Sequence, residues 1–174
     1  MTTTGRFDYR ALWDALEERR NELGLSKTAM VRDIAWVSAG VIKNLEQGKG
    51  TTCQHVTGLL RWLGRTPESF VSGAHDDAAC ALPDVGAFAL RWSMPKLWEA
   101  VDARRAELSL SWNDVAAEFQ WPGVKTFGQD IGYGIPMDLA MRITQWLGLP
   151  AATFMYAAEP APDGVVSRTW GTAP

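Results

Sequence analysis

The chain has 174 residues, 47% of them apolar, which is enough for one ordinary domain or two small ones and too apolar for a disordered protein. No run approaches the ~18 consecutive apolar residues of a membrane span. The start lacks the apolar core of a signal peptide, so we expect a cytoplasmic protein without a membrane partner. The formal net charge of −3 argues mildly against nucleic-acid binding, because phosphate contacts need Lys and Arg.

The first predicted element is an amphipathic helix that occurs twice. Residues 12–26 read LWDALEERRNELGLS and residues 97–111 read LWEAVDARRAELSLS, with nine of fifteen positions identical at an offset of 85. A later pair, WLGRTPESF at 62–70 and WLGLPAATF at 146–154, repeats at an offset of 84. The nearly constant offset predicts two copies of one unit of about 65 residues. We expect the arginine pairs that recur in this helix, Arg19-Arg20 and Arg104-Arg105, to form ion pairs along it.

Two short helices follow in the first copy. The hydroxyls of Ser26 and Ser38 can cap their N-terminal ends, and Gly48 stands where a left-handed residue would end the second one. The residues predicted to face inward are Met30, Val31, Ile34, Val41, Ile42 and Leu45. Only about three residues, 35–37, join the two helices, and so short a connection predicts the sharp crossing of a helix-turn-helix.

Two more helices complete the first copy. Thr51 or Thr52 can begin the fourth, which Gly64 ends. The dipeptide Thr66-Pro67 can open a short fifth helix that runs through Phe70. Five short helices without a strand pattern predict a compact all-α unit.

The stretch GLSKTAMVRDIAWVSAGVIKNLEQGK, residues 24–49, resembles the Cro/C1-type (XRE) helix-turn-helix family of lambda-repressor-like DNA-binding domains. The family pattern has a capped second helix, a short turn, a recognition helix that starts at Ser, and a Glu-x-Gly-Lys ending. Glu46, Gly48 and Lys49 match that ending, and the resemblance covers residues 9–72. The sequence departs from the pattern at Lys27, where the family often has Gln, and at Val31, where it often has Ala.

The resemblance and the repeat together imply an all-α fold of two tandem five-helix helix-turn-helix domains. The expected boundaries are 7–73 for the N-terminal DNA-binding domain, 74–90 for a linker, 91–158 for a degenerate second domain and 159–174 for a flexible tail. The linker prediction rests on small and acidic residues without helical periodicity. The tail prediction rests on a high content of Pro and Gly.

The second copy matches the family less well. Ser111 and Asp114 have the spacing of a capping box, so the second helix is expected there. Trp121-Pro122-Gly123 replaces the simple turn, Gly132 replaces the Glu of the family ending, and Asp130 adds a negative charge beside any phosphate. This copy is as well suited to a role without DNA as to one with it.

The helix that begins at Ser38 is the expected reader of the DNA major groove. Lys43 suits guanine acceptors, Asn44 suits bidentate contact with adenine, and Ala39 or Val41 can contact a thymine methyl group. The residues predicted for base readout are Ser38, Ala39, Gly40, Val41, Lys43 and Asn44. Those predicted for phosphate contact are Lys27, Thr28 and Lys49, and the candidates in the second copy are Lys125, Thr126 and Gln129.

No enzyme signature is visible. There is no nucleophile elbow, no phosphate-binding glycine loop and no carboxylate pair with a matching His. The cysteines and histidines, Cys53, Cys80, His55 and His75, form neither a C-x-x-C pair nor a metal constellation. We therefore expect no catalytic residues, no metal and no cofactor.

The distribution of charge locates the expected DNA contact. Residues 1–75 hold ten Lys and Arg against eight Asp and Glu, a balance of +2, whereas residues 76–174 hold seven against twelve, a balance of −5. The leading hypothesis is a sequence-specific transcriptional regulator of double-stranded DNA, most simply a repressor, and phage immunity repressors and antitoxins both use such domains. It would act as a monomer on an asymmetric site or as a homodimer through the second domain. The alternative is a protein-interaction module, such as an antitoxin, antirepressor or adaptor, that uses these folds without base readout.

Overall fold

A computed structural model describes residues 5–34, 36–72, 81–125 and 134–158. Within these ranges the protein is mostly helical, with seven α-helices and a small sheet of two strands. The predicted tail at 159–174 and the first part of the predicted linker, 74–80, lie outside the described residues. The domain boundaries therefore stay a prediction.

The first repeat begins with a well-capped helix. Asp8 caps it by accepting hydrogen bonds from the backbone N–H groups of Arg10 and Ala11. The elements of this repeat are α1 (Tyr9–Glu22), α2 (Lys27–Ile34), α3 (Ala39–Glu46), α4 (Cys53–Leu63) and a 3-10 helix (Pro67–Phe70). The predicted fifth helix is thus a single 3-10 turn, because the chain becomes extended at Val71 and pairs there with Phe7.

The second repeat begins with a strand. Its elements are β1 (Ala89–Trp92), α5 (Met94–Glu107), α6 (Trp112–Glu118), a 3-10 helix (Pro122–Lys125), α7 (Met137–Leu147), a 3-10 helix (Ala151–Phe154) and β2 (Met155–Ala158). The predicted capping box of α6 is confirmed. The Ser111 hydroxyl accepts from the Asp114 N–H at 3.2 Å, and the Asp114 carboxylate accepts from the Ser111 N–H at 2.8 Å.

Equivalent helices of the two repeats have equal lengths. Helices α1 and α5 both have 14 residues and begin 85 positions apart, and α4 and α7 both have 11 residues and begin 84 positions apart. Gly64 and Gly148 end the latter two in the left-handed conformation. The described residues contain no second α-helix equivalent to α3: the 3-10 helix stands near its place, and residues 126–133 lie outside them.

The mostly helical structure is broadly consistent with the expected all-α fold, and the two strands are an unpredicted addition to it. They pair antiparallel with Trp92 opposite Met155, and the first repeat has a single bridge at the equivalent place, between Phe7 and Val71. All four residues of β1 are buried. A four-residue strand that is buried on both faces shows no apolar–polar alternation, so its sequence does not reveal it.

Both repeats contribute to one apolar core. Its fully buried members include Leu12, Leu16, Met30, Leu59 and Leu60 from the first repeat and Leu97, Val101, Val115, Met137 and Ile143 from the second. Helix α4 packs against α7 and against β1. The N-terminal ends of α4 and α7 meet in an antiparallel bridge between Thr52 and Pro136.

No helix within the described ranges is long and apolar enough to cross a membrane. The same residues contain no group of three or more His, Cys, Asp and Glu side chains that could hold a metal. The thiol of Cys53 is fully buried at the start of α4, and burial raises its pKa to about 12. This cysteine therefore acts as a small apolar core residue.

Candidate nucleic-acid interface

Helices α2 and α3 are joined by residues 35–38 and pack against each other. The predicted caps are confirmed, since the Ser26 hydroxyl accepts from the Ala29 N–H at 3.1 Å and the Ser38 hydroxyl from the Val41 N–H at 3.4 Å. Between the helices Trp36 has a φ of 66°, which is unusual for a bulky residue. The backbone at Trp36 is therefore strained, three residues before the start of α3.

The inner face of α3 fixes the helix to the protein. Val41, Ile42 and Leu45 are buried, with 7%, 4% and 1% of their surfaces exposed, and the helix packs against α1 and α2. Gly48 follows the helix with a φ of 69° and donates its N–H to the Leu45 carbonyl at 2.9 Å. The predicted core stripe and the predicted glycine stop are both confirmed.

The outer face of α3 carries the predicted base-reading residues, with one exception. Those that are exposed are Ser38, Ala39, Gly40, Lys43 and Asn44. Val41 is different, because a side chain with 7% exposure offers almost no surface to a thymine methyl group. Residue 41 lies on the same helical stripe as Leu45, so packing decides its direction. We therefore place Val41 in the core and leave it out of the base contacts.

Lys43 and Asn44 are the polar groups that α3 presents to solvent. Within the described ranges neither side chain forms a hydrogen bond or an ion pair with the rest of the protein. An ammonium and a carboxamide are thus available on a helix whose opposite face is anchored. These two groups offer donors to guanine and a donor–acceptor pair to adenine.

The predicted phosphate contacts differ among themselves. Thr28 and Lys49 are exposed. The Lys27 ammonium instead forms an ion pair with the Glu46 carboxylate and lies 5.4 Å from the ring centroid of Trp13. Both members of this ion pair have 46% of their side-chain surface exposed, and such half-exposed pairs are weak. The Lys27 ammonium is therefore already engaged with Glu46, which reduces its attraction for a phosphate.

The arginine pairs are engaged in ion pairs, as predicted. The Arg20 guanidinium binds the Glu17 carboxylate at 2.9 Å and donates to the Leu25 carbonyl at 2.7 Å. The hydrogen bond from Arg20 lowers the pKa of the Glu17 carboxyl. Arg105 forms the equivalent contacts with Asp102 and the Leu110 carbonyl. These arginines tie α1 and α5 to the turns that follow them and are poor candidates for DNA contact.

The weaker outer pairs follow the same pattern. Arg19 binds Glu22 at 3.5 Å and Arg104 binds Glu107 at 3.1 Å, each three residues further along an exposed helix face. Such exposed pairs add little to stability. They do neutralise charge that would otherwise form a basic patch.

The second repeat lacks the lysine of the first at the equivalent position. Trp112 occupies the place of Lys27, and its ring stacks on that of Trp98 with centroids 5.5 Å apart and an interplanar angle of 17°. The guanidinium of Arg105 lies 5.0 Å from the Trp112 ring centroid. Lys125 is the last residue of the 3-10 helix Pro122–Lys125, and its side chain is outside the described part of the chain, as are Thr126 and Gln129.

His55 lies at the start of α4, behind the turn that follows α3. Its Nδ1 is 3.2 Å from the Thr51 hydroxyl and 3.1 Å from the Thr52 hydroxyl. Burial lowers the pKa of the imidazole, and the positive charge of Arg91 lowers it further. The ring is thus held by the two threonines before α4 and is not part of the exposed face of α3.

The contacts that join the two repeats were not predicted from the sequence. Gln54 and Trp92 meet there, as do Cys53 and Ile135. The constant offset of the repeat was the only signal in the sequence that bears on them, since it makes residues of the two repeats equivalent. Comparison with family models, curated proteins and solved structures found no match to this chain.

Proposed function

We propose that the chain is a sequence-specific regulator of transcription that binds double-stranded DNA, acts as a repressor, and reads the major groove with α3. One observation carries the proposal: α3 is a capped helix, anchored by a buried stripe, that presents Lys43 and Asn44 to solvent without partners among the described residues. The short connection from α2 supports it, because helix-turn-helix units present their second helix in this way.

The proposed fold is two tandem five-helix units of the lambda-repressor type. The equal lengths of α1 and α5 and of α4 and α7 support two related units. The 3-10 helices at Pro67–Phe70 and Ala151–Phe154 would then be the short fifth elements. The first unit reads bases, and the second is degenerate at the place of the recognition helix.

The proposed contacts divide into two classes. Lys43 donates to guanine O6 and N7, Asn44 makes a bidentate pair with adenine, and Ala39 contacts a thymine methyl group. Ser38 and Gly40 allow close approach of the helix to the bases. Each good pairing with a base discriminates by about 1–3 kcal/mol. Thr28, Lys49 and, after exchange from Glu46, Lys27 contact phosphates and fix the position of the domain.

The test replaces the polar pair of α3 and measures binding to duplex DNA selected by the wild-type chain. We expect Lys43→Ala with Asn44→Ala to weaken binding by roughly 30-fold or more and to relax sequence preference, because two base pairings are lost. The matched control is Arg6→Ala with Asn21→Ala, which removes the same charge and an amide from exposed positions outside α3.

The wild-type affinity should fall with salt at a log–log slope of about −0.9 per contacted phosphate. If the double variant and its control bind alike and keep the same preferred sequence, the assignment of α3 as the reader is wrong. If the wild-type chain shows no salt-dependent binding to any duplex, the DNA-binding proposal as a whole is wrong.

A protein-interaction module is the second candidate, and charge favours it. Glu46 neutralises Lys27 in the first repeat, and Trp112 replaces that lysine in the second. The chain as a whole has a net charge of −3. This candidate predicts a protein partner whose affinity depends on α3 while duplex DNA does not compete for it.

A further inference from the structure

The two repeats are joined by hydrogen bonds between equivalent residues. The Cys53 N–H donates to the Ile135 carbonyl at 2.8 Å, and the Met137 N–H donates to the Thr51 carbonyl at 3.1 Å. At the repeat offset of 84, Cys53 is equivalent to Met137 and Thr51 to Ile135. Exchanging the repeats therefore turns the first hydrogen bond into the second. Such reciprocity is the mark of an interface with a twofold axis, which here passes between Thr52 and Pro136.

The contacts beside this bridge are reciprocal as well. The Gln54 carboxamide accepts from the Trp92 N–H and donates to the Trp92 carbonyl, both at 2.9 Å. In the other direction the Asp138 carboxylate accepts from the Phe7 N–H at 3.2 Å. Residues 54 and 138 are equivalent, as are 7 and 92. The first extended segment of each repeat is thus bound by the fourth helix of the other.

The outer ends of this joint, meaning the contacts of α4 and α7 with each other and with the extended segments before α1 and α5, are bound in a similar way but to different partner residues. The Gln145 carboxamide accepts from the Gly5 N–H at 2.8 Å and donates to the Gly5 carbonyl at 3.1 Å. The equivalent residue, Arg61, donates to the carbonyls of Gly86 and Phe88. Hydrogen bonds between the repeats thus involve residues near both ends of α4 and of α7. The joint is therefore an extended interface and not a single crossing point.

The side chains of the joint are also buried and closely packed. Cys53, Trp92, Met137 and Met141 have at most 2% of their surfaces exposed. A Cβ atom at Gly134 would lie 2.9 Å from the Cys53 sulfur and 2.9 Å from the Gln54 Cγ. Packing of this density is typical of obligate interfaces. The surface with which one repeat could pair with another is therefore already occupied within the chain.

The joint lies close to the recognition helix of the first repeat. Helix α3 ends at Glu46, six residues before Thr52, so its end is at most about 22 Å from the axis. A point related to that end by the twofold axis would be at most about 44 Å from it. This span includes the ~34 Å between adjacent major-groove half-sites.

We propose that a single chain is an intramolecular pseudo-dimer that occupies both halves of one DNA site, and that the two halves are unequal in sequence. The inference rests on the proposed DNA-binding function. The first repeat reads bases through Lys43 and Asn44. The second repeat lies over the other half of the DNA site. There Trp112 occupies the position that Lys27 has in the first repeat. The DNA partner is then a single duplex with one strongly specified half-site, bound by one chain.

The first test is stoichiometry, measured by native mass spectrometry on the full chain. The free protein should be a monomer of 19.2 kDa, and one chain should bind each copy of a duplex recovered by the wild-type protein from a random-sequence library. In a gel-shift assay with this duplex, a mixture of tagged and untagged chains should give two shifted bands, one for each kind of chain. No third band that contains both kinds, a hybrid species, should appear. A free dimer, two chains per duplex or a hybrid species would overturn the proposal.

The second test disrupts the joint. Gly134→Ala puts a methyl group into the contact with Cys53 and Gln54, whereas Gly148→Ala, at a φ of 68° against 73°, imposes a similar backbone cost in open space. We expect Gly134→Ala to lower Tm more than Gly148→Ala. Its affinity for the recovered duplex should fall by on the order of tenfold or more, because two linked units lose their common geometry.

A milder variant guards against misfolding of Gly134→Ala. Gln54→Ala removes the two hydrogen bonds to Trp92 without changing the backbone, and Gln120→Ala, at an exposed position, is its control. Equal effects of each variant and its control on Tm and affinity would overturn the role of the joint. If no duplex is recovered, the proposed function fails, while the mass of the free chain and the Tm comparisons still decide whether the joint exists.

Discussion

Equivalent residues of the two repeats can share a backbone conformation while they differ in amino acid. Gly24 follows α1 with a φ of 64°, and Ser109 follows α5 with a φ of 55°. The left-handed conformation is natural for glycine and strained for serine. A Cβ atom added at Gly24 would have no other atom within 4 Å, so there is space for a side chain at this position. The two positions therefore differ in how well each residue tolerates the left-handed backbone. The second repeat therefore contains strain at Ser109 that the first avoids.

For this single residue we predict that Ser109→Gly raises the free energy of unfolding by about 0.5–1 kcal/mol, because relief of strain outweighs the added entropy of the unfolded chain. Gly24→Ser should lower it by a similar amount. Urea denaturation of both variants measures the difference. A Ser109→Gly variant less stable than the wild-type chain would show that the serine side chain contributes more than its conformation costs.

At the scale of elements, the sequence predicted best what depends on near neighbours. The caps at Ser26, Ser38 and Ser111 and the stop at Gly48 each rest on contacts within a few residues, and all are present. Strand β1 has no such local signal, since it is short and buried on both faces. The sequence offered Val41 both as a core residue and as a base contact, whereas the structure buries it on the same stripe as Leu45.

The geometry of the caps gives an element-scale prediction. Asp8 accepts two hydrogen bonds of 2.9 Å at the start of α1, whereas Ser38 accepts one of 3.4 Å at the start of α3. Asp8→Ala should therefore destabilise the protein by about 1–2 kcal/mol, and Ser38→Ala by about 0.5 kcal/mol. Thermal unfolding followed by circular dichroism compares them. The reverse order would mean that the cap of α3 is stronger than its geometry indicates.

At the scale of the whole molecule, the repeat offset predicted two related units but not how they join. The joint depends on pairs such as Gln54 with Trp92, which are 38 residues apart and leave no local pattern. The ion pair between Lys27 and Glu46, which are 19 residues apart, was not predicted for the same reason. The exposed polar face of α3 was predictable because helical periodicity separates Lys43 and Asn44 from the buried stripe.

The proposed reading of double-stranded DNA by α3 can be measured by selecting duplexes from a random-sequence library, in parallel with the wild-type chain and with Lys43→Ala plus Asn44→Ala. We expect the wild-type chain to enrich one site with a strongly specified half. We expect the double variant to lose the preference within that half. Failure of the wild-type chain to enrich any sequence, or enrichment of the same site by both proteins, would contradict this proposal.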